Sequence, residues 1–200
     1  METDLAAAKQ ACREELVIAR HSLTDAERAE QAFKLGQNIA AFLDAKKIPD
    51  GATIAVYNGL PEELSLVPTC ALLYAHGMRV CYPCVHTFDR MEFYALTPAQ
   101  LDAGPEFLTK PNRLFPEESC AEYELVRPEE IDIMLIPGLG FDSDRNRIGY
   151  GAGCYDRYLA RVPKSCMLVG VCFDIQLMEE VPHGPTDQPL DYIISPTVAY

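Results

Sequence analysis

The sequence predicts an α/β layered domain with a largely parallel sheet, and three observations carry that prediction. Thr53 to Tyr57, Ile131 to Pro137 and Met167 to Phe173 are short apolar runs without polar alternation, the pattern of strands buried on both faces. Segments of helical composition alternate with them, as they do where helices cover a sheet. The length of 200 residues suits one core, so residues 1–200 are read as a single domain.

The elements follow in order. A helix is expected from about Leu5 to Arg20. Thr24 with Glu27 three residues on forms a capping box, which opens a second helix running to about Lys47. Ile48-Pro49-Asp50-Gly51 stops it, and the strand at Thr53 to Tyr57 follows. The next helix spans about Ser65 to His76 and ends at Gly77. Arg79 to Val85 and Met91 to Leu96 read as two strands of a hairpin with its turn at Thr87 to Arg90. Residues 98–130, rich in Pro and Glu with isolated apolar positions, read as an irregular excursion with one short helix. The strand at Ile131 to Pro137 leads into a Gly- and Arg-rich loop, Gly138 to Gly153, and a helix from about Cys154 to Arg161. Met167 to Phe173 and about Tyr192 to Ser195 supply the last strands.

Composition excludes several classes. No apolar run approaches the ~20 residues of a membrane helix. Lys9, Arg13, Glu14 and Glu15 interrupt the first 20 residues, unlike a secretory signal, so a cytoplasmic protein with no membrane partner is expected. A net charge of −13 disfavours nucleic acid, whose phosphates need a basic face. The eight cysteines are scattered through apolar stretches and read as reduced, buried thiols. Cys81-Tyr82-Pro83-Cys84 has no second pair to complete a zinc site, and reads as a strand with incidental cysteines. His21, His76 and His183 stand apart and receive no role.

An anionic ligand must therefore meet a local basic cluster, and Arg145, Arg147, Arg157 and Arg161 form one in sequence. They flank Gly149-Tyr150-Gly151-Ala152-Gly153, where alternate glycines between a strand and a helix let backbone N–H groups approach phosphate. The spacing matches neither the dinucleotide pattern nor the P-loop, and a plain tight turn is the competing reading. Arg147 is suited to neutralise phosphoryl charge, and Asp156, just inside the next helix, to hold Mg2+ or to favour the helix dipole. Asp187 is a second candidate carboxylate, although spacing alone favours a turn-forming role. Lys9 and Arg13, four apart on one helical face, are either a phosphate contact or a solvated basic face.

Pro137-Gly138-Leu139-Gly140-Phe141-Asp142 and Arg147-Ile148-Gly149-Tyr150-Gly151-Ala152-Gly153-Cys154-Tyr155-Asp156-Arg157 together resemble the signature of the 5-formyltetrahydrofolate cyclo-ligase family, also called methenyltetrahydrofolate synthetase. Lys9 with Arg13, Tyr57 with Glu63, and Gly170, Val171, Phe173, Gln176, Asp187 and Asp191 resemble that family's other parts in order, so the likeness spans nearly the whole chain. Three departures stand out: Cys154 replaces the usual Tyr, Arg145 replaces a usual Gly, and the Gly-Ile-x-Glu-Pro segment expected near residues 112 to 118 is poorly matched.

The resemblance implies a three-layer α/β/α sandwich, Rossmann-like, with a largely parallel sheet. It implies that Lys9, Arg13 and Arg147, Ile148, Gly149, Tyr150, Gly151, Ala152, Gly153, Cys154 and Tyr155 bind ATP. Tyr57, Glu63 and Tyr150, Gly151, Ala152, Gly153 and Cys154 would line the folate pocket, and Asp156 and Asp187 would hold Mg2+. Arg147 and Lys9 are the expected catalytic residues, and a monomer is expected, with folate and ATP as its small-molecule partners. The implied reaction is the Mg-ATP-dependent cyclisation of 5-formyltetrahydrofolate to 5,10-methenyltetrahydrofolate, releasing ADP and phosphate. Two alternatives remain open: a phosphate-binding sandwich of the sugar-phosphate isomerase or CoA-transferase type, and a non-catalytic folate or nucleotide sensor. Cys154 at a helix N-terminus is expected to react readily with thiol reagents unless ATP covers it.

Overall fold

The computed structural model describes residues 2–111, 113–184 and 187–199. Helix α1 is Glu2–His21 and α2 is Asp25–Lys46. The capping box forms as expected: the Thr24 hydroxyl accepts from the Glu27 N–H, and the Glu27 carboxylate accepts from the Thr24 N–H at 2.8 Å. Such a cap stabilises a helix by about 1 kcal/mol. Ala32, Leu35, Gly36, Ile39 and Leu43 form its buried stripe. Lys47 ends α2 in the left-handed conformation, φ 55°, where its N–H still reaches the Asp44 carbonyl.

Strand β1 (Thr53–Ala55) is shorter than its apolar run; Val56 still donates to the Cys81 carbonyl of the next strand at 2.9 Å, and Tyr57 is buried beyond it. Helix α3 (Val67–Ala75) begins with a proline in its first turn and carries the chain to β2 (Arg79–Thr87), which lies parallel to β1. β3 (Arg90–Ala95) returns antiparallel, completing the predicted hairpin.

Residues 98–130 are more ordered than their composition suggests. They hold α4 (Pro98–Asp102), α5 (Glu106–Thr109), a 3-10 turn at Glu117–Cys120 and an edge strand, β4 (Glu124–Val126). Isolated apolar residues are what order this segment: Phe107, Phe115, Cys120 and Val126 each reach the core. The glycine-rich loop likewise contains a small hairpin, β6 (Gly140–Phe141) with β7 (Arg147–Ile148). β5 (Ile133–Ile136) precedes it, and α6 (Cys154–Leu159) and β8 (Met167–Val171) follow before β9 (Tyr192–Ile194).

The main sheet runs β4-β3-β2-β1-β5-β8-β9 and is parallel everywhere except at β2–β3 and β3–β4. Period-two alternation sends Ile54, Ile133, Leu135, Val169 and Val171 to one face, against Leu35, Ile39 and Leu43 of α2 and Cys70 and Leu73 of α3. Ala55, Met134 and Ile136 point to the other, against Tyr158 and Leu159 of α6 with Phe141 and Leu190. The result is the expected three-layer sandwich with unequal outer layers. Helix α1 packs Cys12 and Leu16 on Leu139, Ile148 and Val181, which brings it alongside the small hairpin. A Cβ on Gly140 would meet the Leu16 side chain at 2.6 Å, so glycine lets the helix approach without a shift of that side chain. No helix among the described residues is long and apolar enough to cross a membrane.

Candidate active site

The C-terminal ends of β1 and β5 open onto a cavity of about 260 Å3. Its walls are Tyr57, Asn58, Leu60 and Glu63 after β1; Pro83, Val85 and Met91 of the β2–β3 hairpin; Phe107, Pro111, Arg113 and Phe115; and Pro137, Gly138, Arg147 and residues 149–156. Ligands commonly bind at such strand ends in α/β sheets. A second, apolar cavity of about 820 Å3 lies beside it, sharing the wall of Tyr57, Asn58, Leu60 and Glu63.

Gly149 to Gly153 cross the cavity as a loop whose shape requires glycine at two points, Gly151 at φ 93° and Gly153 at φ 68°. Gly151 also lies against the Arg13 guanidinium, and Arg13 Nε donates to the Gly149 carbonyl at 2.9 Å, so α1 holds this loop directly. Arg157 braces it from the other side, donating to the Ala152 carbonyl at 2.9 Å and the Phe88 carbonyl at 2.5 Å. Ile148 stays in the core and does not line the cavity, and its carbonyl accepts from the Leu139 N–H at 2.7 Å.

Arg147 reaches into the cavity from β7, held by the Pro137 carbonyl at 3.2 Å and by Asp156 at 2.5 Å. The other arginines of the sequence cluster do not join it. Arg161 pairs with Glu92 at 3.0 Å, and Arg145 occupies a tight turn at φ 68°, so neither lines the cavity. Adjacency along the chain is no guide here, because a hairpin and a helix send successive side chains apart. Lys9 lies outside the cavity as well, paired with Asp187 at 2.5 Å, and Asp187 also accepts from the Gly184 N–H at 2.6 Å. Burial opposes the charge of Asp187, but these two donors hold its carboxyl below the usual carboxylate range. Pro185 and Thr186, just before it, and Asn112, in the poorly matched segment, fall outside the described residues.

Tyr57 is buried and donates to the Leu64 carbonyl at 2.5 Å, closing the loop that carries Glu63. Glu63 accepts from the Leu60 N–H at 2.9 Å. Burial raises its pKa, and the Leu60 N–H and Arg20 work against that rise. Tyr150 is half-exposed and accepts a hydrogen bond from Arg20. Cys154 borders the cavity half-buried, with Arg157 3.9 Å from its sulfur, whereas the other seven cysteines are buried. Cys81 and Cys84 lie in β2 as expected, Cys84 facing Cys120 at 3.3 Å.

Sequence reasoning missed Arg20 and the walls contributed by the hairpin and by Phe107, Pro111, Arg113 and Phe115. An arginine at the end of a helix reads as a solvated cation, and nothing local announces that it is 1% exposed. The hairpin residues read only as strand.

As for magnesium, no group of three or more His, Cys, Asp or Glu gathers among the described residues. Magnesium usually takes one or two carboxylates together with substrate phosphates, and Asp156, at the cavity wall beside Arg147, fits that pattern.

Comparisons with known proteins bear on the family and the fold. The model of the 5-formyltetrahydrofolate cyclo-ligase family matches residues 5–196. The chain is 28% identical to the 5-formyltetrahydrofolate cyclo-ligase of Mycoplasma pneumoniae, covering 94% of this chain and 98% of that one. It is 29% identical to the Escherichia coli K12 protein of the same name, covering 84% and 91%. Among solved structures it resembles the 5,10-methenyltetrahydrofolate synthetase of Mycoplasma pneumoniae, with TM-score 0.74 and 27% identity over 94% of this chain and 98% of that one. The synthetase of Aquifex aeolicus gives TM-score 0.75 and 26% identity over 96% and 91%. With the family model covering nearly the whole chain and both structures sharing its fold, the chain belongs to the 5-formyltetrahydrofolate cyclo-ligase family and is an enzyme of that kind, a ligase of folate one-carbon metabolism.

Proposed function

We propose that the protein converts 5-formyltetrahydrofolate to 5,10-methenyltetrahydrofolate with Mg-ATP as co-substrate. The observation that supports this most is the single cavity bordered at once by a buried carboxylate, Glu63, and by the glycine loop with Arg147. Those are, respectively, an acceptor for the N–H edge of a pterin and a cradle for phosphate. The alternative isomerase or transferase reading gives no account of Glu63 facing that loop, and membership of the ligase family removes its motivation.

The chemistry follows from the substrate. A formamide oxygen leaves poorly, so ATP first phosphorylates it, giving an N5 iminium phosphate and ADP. N10 then attacks the formyl carbon, the C–O bond breaks, phosphate leaves with both electrons of that bond, and the N10 proton is released. No covalent enzyme nucleophile is needed, and catalysis is positioning and charge stabilisation. Arg147, which borders the cavity and is only 10% exposed, would stabilise the transferring phosphoryl group. Lys9 and Arg13 would bind the nucleotide from α1, with the N–H groups of the loop from Ile148 to Tyr155. Tyr57, Glu63 and Tyr150 to Cys154 would shape the folate pocket. Asp156 and Asp187 would hold Mg2+, which when bound offsets negative charge on the phosphate oxygens. We read the chain as one domain that works as a cytoplasmic monomer.

Purified protein mixed with 5-formyltetrahydrofolate and Mg-ATP, followed for methenyltetrahydrofolate absorbance and ADP together, tests the proposal. Equal amounts of both products are expected. ADP without the methenyl product would point to a different acceptor, and neither product would refute the reading. Near-normal turnover in Arg147→Ala would remove that residue from its role.

A further inference from the structure

Arg20 is the largest fully buried side chain among the described residues, and the proposed function gives it no role. Its Nη2 donates to the Tyr150 hydroxyl, and the guanidinium carbon lies 5.4 Å from the centre of the Tyr150 ring. The Glu62 and Glu63 carboxylates stand 3.7 and 3.8 Å away, within ion-pair range, yet Nε and Nη1 make no hydrogen bond. Arg28 locks both sides of this arrangement, donating to the Arg20 carbonyl at 2.7 Å and the Glu62 carbonyl at 2.8 Å. A buried guanidinium with unused donors is costly, and a core built for stability alone would favour an apolar residue here.

We propose that Arg20 is a positioning residue for the folate site, its guanidinium, bonded to the Tyr150 hydroxyl, holding the Glu63 carboxylate in place at the pocket wall. The inference rests on the reading of Glu63 as a folate contact and adds what sets its charge. The groups facing Glu63 are Arg20 from α1, Glu62 from its own loop, Tyr57 after β1, Tyr150 from the glycine loop and Tyr155 from α6. Arg20 is the one cation among them. Burial and Glu62 favour the neutral acid, while Arg20, the Leu60 N–H and Tyr150 favour the carboxylate. A pterin presents donors to this position, so the ionised form is the one that binds. Binding is then lost as the pH falls and Glu63 takes up a proton.

The test is the acid limb of kcat/KM for 5-formyltetrahydrofolate in wild type, Arg20→Met, Arg20→Lys, Glu62→Gln, Glu63→Gln and the double variant Arg20→Met/Glu63→Gln, each checked for folding by thermal melting. Losing an opposite charge at this range moves a carboxyl by about one to two units, so Arg20→Met should shift the limb upward by about that much. Well below the limb that shift lowers kcat/KM about tenfold per unit. Arg20→Lys should restore most of the shift. Glu62→Gln, at a loop position whose side chain is 30% exposed, should move the limb downward and carries the test if Arg20→Met does not fold. Glu63→Gln should raise KM and abolish the limb, and adding Arg20→Met to it should change KM little further. An unmoved limb in Arg20→Met or in Glu62→Gln, or additive losses in the double variant, would overturn the role of Arg20 while leaving Glu63 in the site. A wild-type KM in Glu63→Gln would remove the folate reading of Glu63 and this inference with it.

Discussion

Asp142→Ala is predicted to cost about 3 kcal/mol of stability, because one buried carboxylate organises the small hairpin that carries Arg147. Asp142 is 2% exposed, and no Lys or Arg pairs with it among the described residues. Its oxygens instead accept from the Asn146 N–H, the Asn146 side-chain amide and the Val181 N–H, each at 2.9 Å. Hydrogen bonds to a charged acceptor contribute about 1.5–3 kcal/mol each, and a buried donor left without a partner costs about 1–3 kcal/mol. Val181 is fully buried, so its N–H loses its partner outright, whereas water recovers part of the interaction at the half-buried Asn146. Relief of an uncompensated buried charge offsets some of the loss. About 3 kcal/mol is the resulting central value. With a urea slope of about 1–3 kcal/mol/M, the unfolding midpoint should fall by roughly 1–3 M. A loss under 1 kcal/mol at unchanged slope would refute the claim that Asp142 anchors the hairpin.

Four further outcomes are expected. Arg145→Gly should raise stability by about 0.5–1 kcal/mol in the same urea assay, since φ 68° strains any residue with a Cβ, and it should leave turnover unchanged; a loss of activity would give the Arg145 side chain a role the fold does not reveal. Gly170→Ala should lose about 1–3 kcal/mol, because a Cβ there would stand 2.6 Å from Phe141 and 2.7 Å from Leu190, and a thermal melt matching wild type would show that these side chains yield freely. Cys154 should be the first thiol labelled in the native protein, with Mg-ATP slowing the reaction, and equal rates with and without nucleotide would separate this cysteine from the ATP site. Asp187→Asn should free Lys9 and strengthen ATP binding measured by calorimetry in EDTA by about twofold to fivefold, the scale of a partly exposed ion pair, and weaker binding would show that Asp187 aligns Lys9 instead of competing for it.

The parts of the fold legible in the sequence are those where local and global requirements coincide. The Thr24–Glu27 cap, the buried stripe of α2 and the unbroken apolar runs at β5 and β8 each declare themselves within a few residues. β4 did not, because two of its three residues are exposed and Leu125 is half outside, so pairing with β3 makes the strand without any periodicity of its own. The site was legible where the chain is continuous, from Arg147 to Asp156, and along the short arm from Tyr57 to Glu63. It was illegible where it depends on distant pairing. Lys9 meets Asp187 across 178 residues, and Arg20 meets Tyr150 across 130, and no spacing rule reaches that far. The family resemblance supplied Lys9 and Asp187 as separate functional residues, but only the fold reveals that they hold each other.

That pairing bears on how an acidic protein presents a site to an anion. With 30 acidic and 17 basic residues, free cations near a cavity are soon matched by carboxylates. Arg147 is matched by Asp156, Lys9 by Asp187 and Arg20 by Glu62 and Glu63. Under the proposed function, Asp156 and Asp187 are the two carboxylates assigned to Mg2+, and their partners Arg147 and Lys9 are the two cations assigned to phosphate. Nucleotide binding then becomes an exchange in which phosphate takes the cations and Mg2+ takes the carboxylates, so that no charge is left alone. Phosphate arriving without the metal would strip both carboxylates of their partners, and metal arriving without phosphate would do the same to both cations. Metal without phosphate is the costlier half, because it leaves Arg147 alone at 10% exposure, whereas Asp156 at 70% exposure stays solvated. Under the proposed function, metal binding then depends on phosphate because of how these side chains are paired before either ligand arrives.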